Sequence, residues 1–156
     1  MIMKKLMVII PDKLSSLVKK GEVTERYYNP DNFFSEVHVV ITNNDRPDIN
    51  SVQKMAGTAK LFIYNLPDAK MMFFLSLGWK PFLLKWWAKK AVRLAKKIKP
   101  DIVRCHAAQL NSFAAAEIKK KLNIPYIVSL HINPDEDVRG RANNLIKRIV
   151  TLAQKK

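Results

Sequence analysis

The stretch IKPDIVRCHAAQLNSFAAAEIKKKLNIPYIVSLH, residues 98–131, decides the fold class of this chain. It contains two short apolar runs, DIVRC at 101–105 and PYIVSLH at 125–131, each entered at a proline. Short runs rich in β-branched residues and bounded by turn residues are typical of strands. Between them, residues 110–122 repeat apolar side chains at three- and four-residue spacing, which predicts a helix. A strand, a helix and a second strand in this order predict a βαβ unit with parallel strands.

The same alternation extends toward the amino terminus. Residues 5–10, 36–42 and 60–66 are three further strand patterns, and their continuous apolarity is typical of strands buried on both faces of a sheet. Residues 83–98 and 141–153 have helical periodicity, and a short helix is predicted at 48–55 with Gly57 as its stop. Residues 11–26 are predicted to be a loop. We therefore expect a single α/β domain over residues 1–156, with a Rossmann-like, doubly wound parallel sheet of about five strands and flanking helices.

The composition limits the classes of protein that the chain can belong to. Its 156 residues include 28 Lys and Arg against 13 Asp and Glu, a formal net charge of +15, and a single cysteine. One cysteine excludes an intramolecular disulfide framework and favours a reducing, cytoplasmic location. No stretch of 18 uncharged apolar residues predicts a membrane-spanning helix, and the first apolar run is interpreted as a strand and not as a signal peptide. The charge predicts an anionic partner, namely a membrane surface, a phosphorylated ligand or nucleic acid.

Residues 70–99 concentrate this positive charge. They carry nine Lys and Arg, no acidic residue and all three tryptophans. Aromatic rings at headgroup depth beside lysines are typical of segments that dock on anionic membranes. The predicted membrane-docking residues are Phe73, Phe74, Trp79, Lys80, Lys85, Trp86, Lys89 and Lys90. The alternatives are a crossover helix with solvated lysines and, less favoured because no RNP, KH or helix-turn-helix pattern is visible, a nucleic-acid surface.

Motif spacing argues against several common kinds of site. No G-x-G-x-x-G or G-x-x-x-x-G-K-[ST] motif follows the first strand, which disfavours dinucleotide enzymes and P-loop hydrolases. Three histidines and one cysteine without short ligand spacing predict no metal site. His131 closes the fifth strand, where it serves either as an acid, base or ligand donor or as a structural cap of the sheet edge. For His106, at the end of the fourth strand, the structural interpretation is favoured, as it is for His38 inside the second.

Residues 98–139 resemble the amino-terminal domain of the retaining glycosyltransferases of the two-domain GT-B type, family 4. The likeness lies in the entry Lys99-Pro100-Asp101 to the fourth strand, in His106 at its end, and in the entry Asn123-Ile124-Pro125 to a fifth strand that closes on Ser129-Leu130-His131. Residues 19–42, which begin with a glycine-containing loop, also resemble that domain. The resemblance implies one Rossmann-like half that binds the acceptor and docks on the inner face of an anionic membrane.

The resemblance also implies roles for individual residues. It places His131 at the reaction centre as the catalytic candidate, and it places Lys20, Gly21 and Glu22 near the donor phosphates and the acceptor. The further substrate-binding candidates are His106, Asn133 and Arg139. The donor is expected to be a nucleotide sugar, and neither a permanently bound cofactor nor a metal is implied.

One part of the family pattern is missing. The donor-binding domain of the family carries two glutamates in an E-x7-E arrangement, whereas no two glutamates of this sequence are eight positions apart; they are Glu22, Glu25, Glu36, Glu117 and Glu136. We therefore expect another polypeptide or domain to supply most of the donor site. The chain would then be a domain fragment, a truncated product, or one half of a split enzyme with a donor-domain partner chain. A non-enzymatic, peripheral membrane-binding module stays open as the alternative function.

Overall fold

The computed structural model describes residues 4–66, 81–107 and 110–130. Within these residues the strands are β1 (Lys5–Ile10), β2 (Glu36–Ile41), β3 (Lys60–Asn65), β4 (Ile102–His106) and β5 (Tyr126–Ser129). The helices are α1 (Leu14–Lys20), α2 (Ile49–Val52), α3 (Pro81–Ile98) and α4 (Leu110–Leu122), and a 3₁₀ turn (Gln53–Ala56) directly follows α2. The predicted helix at 141–153 lies outside the described residues, as do residues 67–80 of the predicted docking segment.

The five strands form one sheet in the order β3-β2-β1-β4-β5, and each neighbouring pair is parallel. This arrangement confirms the predicted Rossmann-like α/β fold. The strand order reverses between β1 and β4. In open α/β sheets, ligands bind outside the carboxyl ends of the strands at such a reversal, so the fold directs attention to the ends of these two strands.

The sheet is covered on both faces. On one face, Met7 of β1 and Val103 of β4 pack with Trp87 and Ala91 of α3 and with Ile118 of α4. On the other face, Val8 of β1 packs in a second cluster with Leu14 of α1, Val52 of α2 and Met55 of the 3₁₀ turn. Because β1 and β2 are buried on both sides, their sequences are continuously apolar, as a doubly covered parallel sheet requires.

The segment after β1 corrects the sequence prediction of a loop. Residues 14–20 form α1, and Leu14, Leu17 and Val18 face the core at helical spacing. Gly21 ends this helix at φ +70°, the left-handed conformation that a residue without Cβ adopts most easily. The helix has no local side-chain cap at Lys13. Its cap is Asp45, whose carboxylate accepts the Ser15 N–H at 2.9 Å, and a partner thirty residues away leaves no local signal in the sequence.

The fifth strand departs from the expectation of burial on both faces. Within β5, Tyr126, Ile127 and Val128 are exposed. β5 is an outermost strand of the described sheet, so only its β4 side is paired. It is also shorter than the predicted 125–131, and His131 lies outside the described residues.

Candidate functional site

A cleft with a volume of about 340 Å³ opens at the carboxyl ends of β1 and β4. Its lining combines carboxylates, aromatic rings, one imidazole and small apolar side chains. The lining residues are Asp12, Leu17, Glu22, Thr24, Tyr27, Tyr28, Met55 and His106. The cleft therefore occupies the position that the reversal of strand order predicts for a ligand site.

Two backbone features bring the chain from α1 back over the cleft. After Gly21 the Glu22 N–H donates to the Leu17 carbonyl at 2.9 Å, which closes the end of the helix. Further along, the Tyr28 N–H donates to the Met55 carbonyl at 2.9 Å. The irregular segment that carries Tyr27 and Tyr28 is thereby held against the 3₁₀ turn, and its rings are positioned beside the end of β4.

His106 lies at the end of β4 and forms part of an aromatic cluster. Its ring centroid is 5.7 Å from that of Tyr27 and 6.0 Å from that of Tyr28, and the two tyrosines pack edge to face at 5.2 Å. The side chain of His106 is buried, and its carbonyl accepts the Asn111 side-chain amide at 2.6 Å. The Arg104 guanidinium lies 5.9 Å from the Tyr27 ring. These contacts fix the floor of the cleft with rings whose mutual geometry is favourable.

Burial sets the protonation state of two groups near this floor. It raises the pKa of Tyr28 far above its ordinary value of 10.0, with Tyr27 and Asp12 adding to the shift, so Tyr28 is a neutral phenol at physiological pH. Burial also raises the pKa of the Cys105 thiol to about 11. Because the thiolate is the nucleophilic form, Cys105 is unreactive at neutral pH. The cleft therefore offers hydrogen-bonding and packing groups and no activated thiol.

The amino terminus of α1, where a Rossmann-like fold could bind phosphate, is already occupied by a carboxylate. Asp45 accepts from the Ser15 N–H at 2.9 Å and from the Ser15 hydroxyl. The Asn43 side-chain amide donates to the Pro11 carbonyl at 2.9 Å, and Asn65 donates to the Asn43 carbonyl at 3.0 Å. The carboxylate of Asp45 satisfies the donors that would otherwise attract an anion at this helix end.

The structure brings some of the predicted substrate residues together. Glu22 and His106 line the same cleft, whereas Lys20 and Gly21 lie just before Glu22 and are not part of the described lining. The Lys20 ammonium is 3.9 Å from the Glu22 carboxylate, and both side chains are largely exposed. His131, Asn133 and Arg139 lie outside the described residues.

Sequence reasoning missed three of the lining residues: Asp12, Tyr27 and Tyr28. Asp12 follows β1 closely, and its place near the end of a strand was a usable signal. The Tyr27-Tyr28 pair lies in a segment without periodicity, and only the packing of that segment against the 3₁₀ turn brings it to the cleft. No sequence pattern at this position would have identified the tyrosines.

The second candidate surface is the outer side of α3. Trp87 is fully buried in the core, whereas the neighbouring Trp86 is 50% exposed and Phe82 is 61% exposed. The Lys90 ammonium lies 4.7 Å from the centroid of the Trp86 ring, and Lys85 and Lys89 are exposed on the same helix. The other predicted docking residues, namely Phe73, Phe74, Trp79 and Lys80, lie outside the described residues.

Neither a membrane span nor a metal site is found in the part of the chain that the structure describes. No described helix combines the length and apolarity needed to cross a bilayer. No described cluster of three or more His, Cys, Asp or Glu side chains is arranged to hold a metal ion.

Comparison with known proteins gives one family match. The family model described as Glycosyltransferase Family 4 matches residues 35–156. No curated protein sequence gives a significant match. Two solved structures of the C-terminal domain of PF1911 hydrogenase from Pyrococcus furiosus are similar in part. One is 13% identical with a TM-score of 0.49, covering 82% of this chain and 91% of that one, and the other is 12% identical with a TM-score of 0.47, covering 81% and 91%.

Proposed function

The chain belongs to glycosyltransferase family 4, and from this premise we propose that it is the acceptor-binding half of a sugar transferase. In this proposal the cleft between the ends of β1 and β4 binds the acceptor. The donor is a nucleotide sugar, which is bound mostly by a separate donor domain or a partner chain. His131 is proposed to act at the reaction centre, beside the transferred sugar.

The observation that carries the proposal is the lining of the cleft. Carboxylates accept hydrogen bonds but cannot donate them, so Asp12 and Glu22 suit a ligand rich in hydroxyl groups. The rings of Tyr27 and Tyr28 supply flat apolar surface, and their hydroxyls can bond to a polar ligand. Two carboxylates repel a phosphate, and Asp45 already occupies the nearest helix end. The chemistry of the cleft therefore favours a neutral, polyhydroxylated acceptor.

The direct test is transfer with the donor domain supplied in trans or as a fusion. Glu22→Gln removes the charge of a cleft carboxylate, and a hydrogen bond to a charged group contributes about 1.5–3 kcal/mol, so transfer should fall at least about tenfold. Glu25→Gln is the matched control, because Glu25 is close in sequence, largely exposed and paired with Arg26 at 3.2 Å outside the cleft lining. Equal effects of the two variants would remove the cleft from the acceptor site.

The same assay tests His131. If His131→Ala leaves transfer undiminished, the histidine has no role at the reaction centre. Loss of transfer with unchanged acceptor binding is the expected result, because the residue is proposed to contact the transferred sugar and not the acceptor.

A second proposed function is peripheral docking on the inner face of an anionic membrane through α3. The observation that favours it is the stripe of exposed aromatic side chains, Phe82 and Trp86, flanked by the exposed Lys85 and Lys89. Residues four apart on a helix lie on the same side, so these groups can reach one flat surface together. If docking is the only activity, the chain is a non-enzymatic membrane module. Vesicle flotation with and without anionic lipid tests the surface, and the transfer assay separates the two functions.

A further inference from the structure

The exposed apolar surface of the described residues is concentrated on β5 and the residue that follows it. Eight large hydrophobic side chains are exposed in the described part of the chain, and four of them lie between 126 and 130. Ile127 is 54% exposed and Leu130 is 51% exposed, and Tyr126 and Val128 are exposed as well. Successive residues of a strand point to opposite faces of the sheet, so β5 is bare on both faces. Contiguous exposed apolar surface of this kind marks an interaction site.

The backbone of β5 has hydrogen-bonding groups that point away from the described sheet. The carbonyls of Pro125 and Ser129 face β4, since they accept from the N–H groups of Val103 at 2.9 Å and Ala107 at 3.2 Å. Residues of a paired strand alternate in the direction of their N–H and C=O groups. Tyr126 and Val128 therefore direct theirs to the open side, where an additional strand could pair.

The other outermost strand shows that this chain can protect an edge. β3 begins with Lys60, which is exposed and whose ammonium lies 5.1 Å from the centroid of the Phe62 ring. An edge lysine is a common device against strand addition, whereas β5 contains neither a charge nor a proline. β5 thus lacks the protection that β3 has, in the direction of a strand-binding role.

The charge beside β5 indicates what kind of strand would bind. The helix α4 ends with the exposed residues Lys119, Lys120 and Lys121, and a three-residue turn leads from it into β5. The single acidic residue between 110 and 130 is Glu117. A second copy would bring together two chains of net charge +15 with two such lysine runs, which disfavours self-association. An acidic partner is attracted by the same groups.

We propose that the open side of β5 accepts an extended strand of an acidic partner polypeptide, which continues the sheet and covers the exposed side chains of residues 126–130. The main-chain bonds would come from Tyr126 and Val128, and Lys119–Lys121 would attract the acidic flank of the partner. This interaction goes beyond the proposed acceptor function and does not depend on it.

The first test is hydrogen exchange in the free chain. The amide protons of Tyr126 and Val128 should exchange fast, whereas those of Ile127 and Ser129, which face β4, should be protected. Protection of Tyr126 and Val128 in the free chain would mean that this side of the strand is already covered, and the proposal would be wrong.

The second test uses synthetic peptides as the probe. A peptide with a Val-Thr-Ile-Thr-Val core between glutamate triplets is compared, by fluorescence anisotropy, with the same core between lysine triplets. The glutamate peptide should bind roughly tenfold or more tightly, and it should protect the Tyr126 and Val128 amides. Absence of binding, or equal binding of both peptides, would overturn the proposal.

Two proline variants separate strand addition from general loss of structure. Val128→Pro removes an N–H that points to the open side, a position where proline is tolerated in edge strands, so folding should persist while peptide binding is lost. Ile127→Pro removes an N–H that faces β4, and it should destabilise the sheet itself. Peptide binding that survives in a folded Val128→Pro variant would refute the proposal. A concentration-dependent dimer in sedimentation that Val128→Pro abolishes would identify a second copy as the occupant and would equally refute the acidic partner.

Discussion

The cleft and the outer side of α3 are built from the same two kinds of group, aromatic rings and charges, but the sign of the charge is opposite. In the cleft, Asp12 and Glu22 accompany Tyr27 and Tyr28. On α3, lysines accompany the exposed Phe82 and Trp86. The net charge of +15 therefore describes the outer surface of the molecule and not the cavity that it offers to a small ligand. Ligand chemistry has to be deduced from the local groups, because the summed charge governs only long-range attraction.

The largest expected effect tests whether the two sides of α3 differ as described. Trp87→Ala should lower the free energy of unfolding by about 3–5 kcal/mol, because the indole is fully buried and its removal leaves a cavity. Trp86→Ala should change it by about 0.5 kcal/mol or less, as expected for an exposed position. Urea unfolding of both variants measures the difference. Similar destabilisation by the two substitutions would mean that the outer side of α3 is part of the fold and unavailable to a partner.

The next prediction tests the positive side of the comparison. Exchanging Lys85, Lys89 and Lys90 for glutamine should weaken binding to anionic vesicles by about 3 kcal/mol, on the order of 100-fold, since each lysine near such a surface contributes about 1 kcal/mol. Acceptor binding should not change. The matched control exchanges Lys119, Lys120 and Lys121, which carry the same charge on α4. Equal losses in flotation would show that total charge, and not the aromatic stripe of α3, controls attachment.

A smaller effect sharpens the description of the cleft side. Gly21 ends α1 at φ +70°, and nothing lies within 4 Å of the position of an added Cβ. Gly21→Ala should therefore lower the free energy of unfolding by about 1–2 kcal/mol through backbone strain alone, and Gly21→Asn should lower it less. Thermal or urea unfolding measures both variants. Unchanged stability together with lost transfer would indicate instead that the glycine allows a substrate to approach the backbone.

The smallest effect concerns His38, which lies in neither region and serves as an internal reference for pH. Its ring stacks on Phe62 with centroids 4.7 Å apart and contacts the Tyr64 hydroxyl at 3.2 Å, and Glu36, which also binds Lys5, is 3.0 Å away. Burial lowers the pKa of His38 below 6.5, although Glu36 opposes the shift.

Because the unfolded chain takes up this proton more readily than the folded protein, stability is fully present above about pH 6.5 and declines as the pH falls through the lower pKa of the folded state. The free energy of unfolding should therefore decrease between about pH 7.5 and about pH 5.5, and it should decrease less in His38→Gln. Glu36 has a lowered pKa, mainly through its bond to Lys5, and affects stability only at more acid pH. The same slope in both proteins would assign the pH dependence to other groups.

Much of the fold could be predicted because the responsible signals are local. The strand β1 and the helix α4 begin and end at the predicted residues, and Gly57 stops the short helical segment as expected, at φ +62°. Continuous apolar runs between turn residues identified the parallel strands, since each strand carries its own pattern. The helix α1 escaped because the carboxylate that caps it comes from Asp45.

The candidate site was less accessible to sequence reasoning. Glu22 and His106 were identified through a family resemblance and through their positions after strands. The tyrosines that form the floor were not, because no periodicity marks the segment that carries them. The exposure of β5 was missed for a related reason: an apolar strand has the same composition whether or not its faces are covered.

The sequence by itself determined the strand–helix alternation, the parallel sheet, the family and the concentration of positive charge in residues 70–99, because each of these depends on neighbouring residues or on composition. Only the tertiary structure decided that Asp12, Glu22, two tyrosines and His106 share one cleft, that Trp87 is buried while Trp86 is exposed, and that β5 is bare on its outer side. These properties depend on which distant segments pack against one another. The crossing of strand order between β1 and β4 brings together residues almost a hundred positions apart, and no local pattern records that encounter.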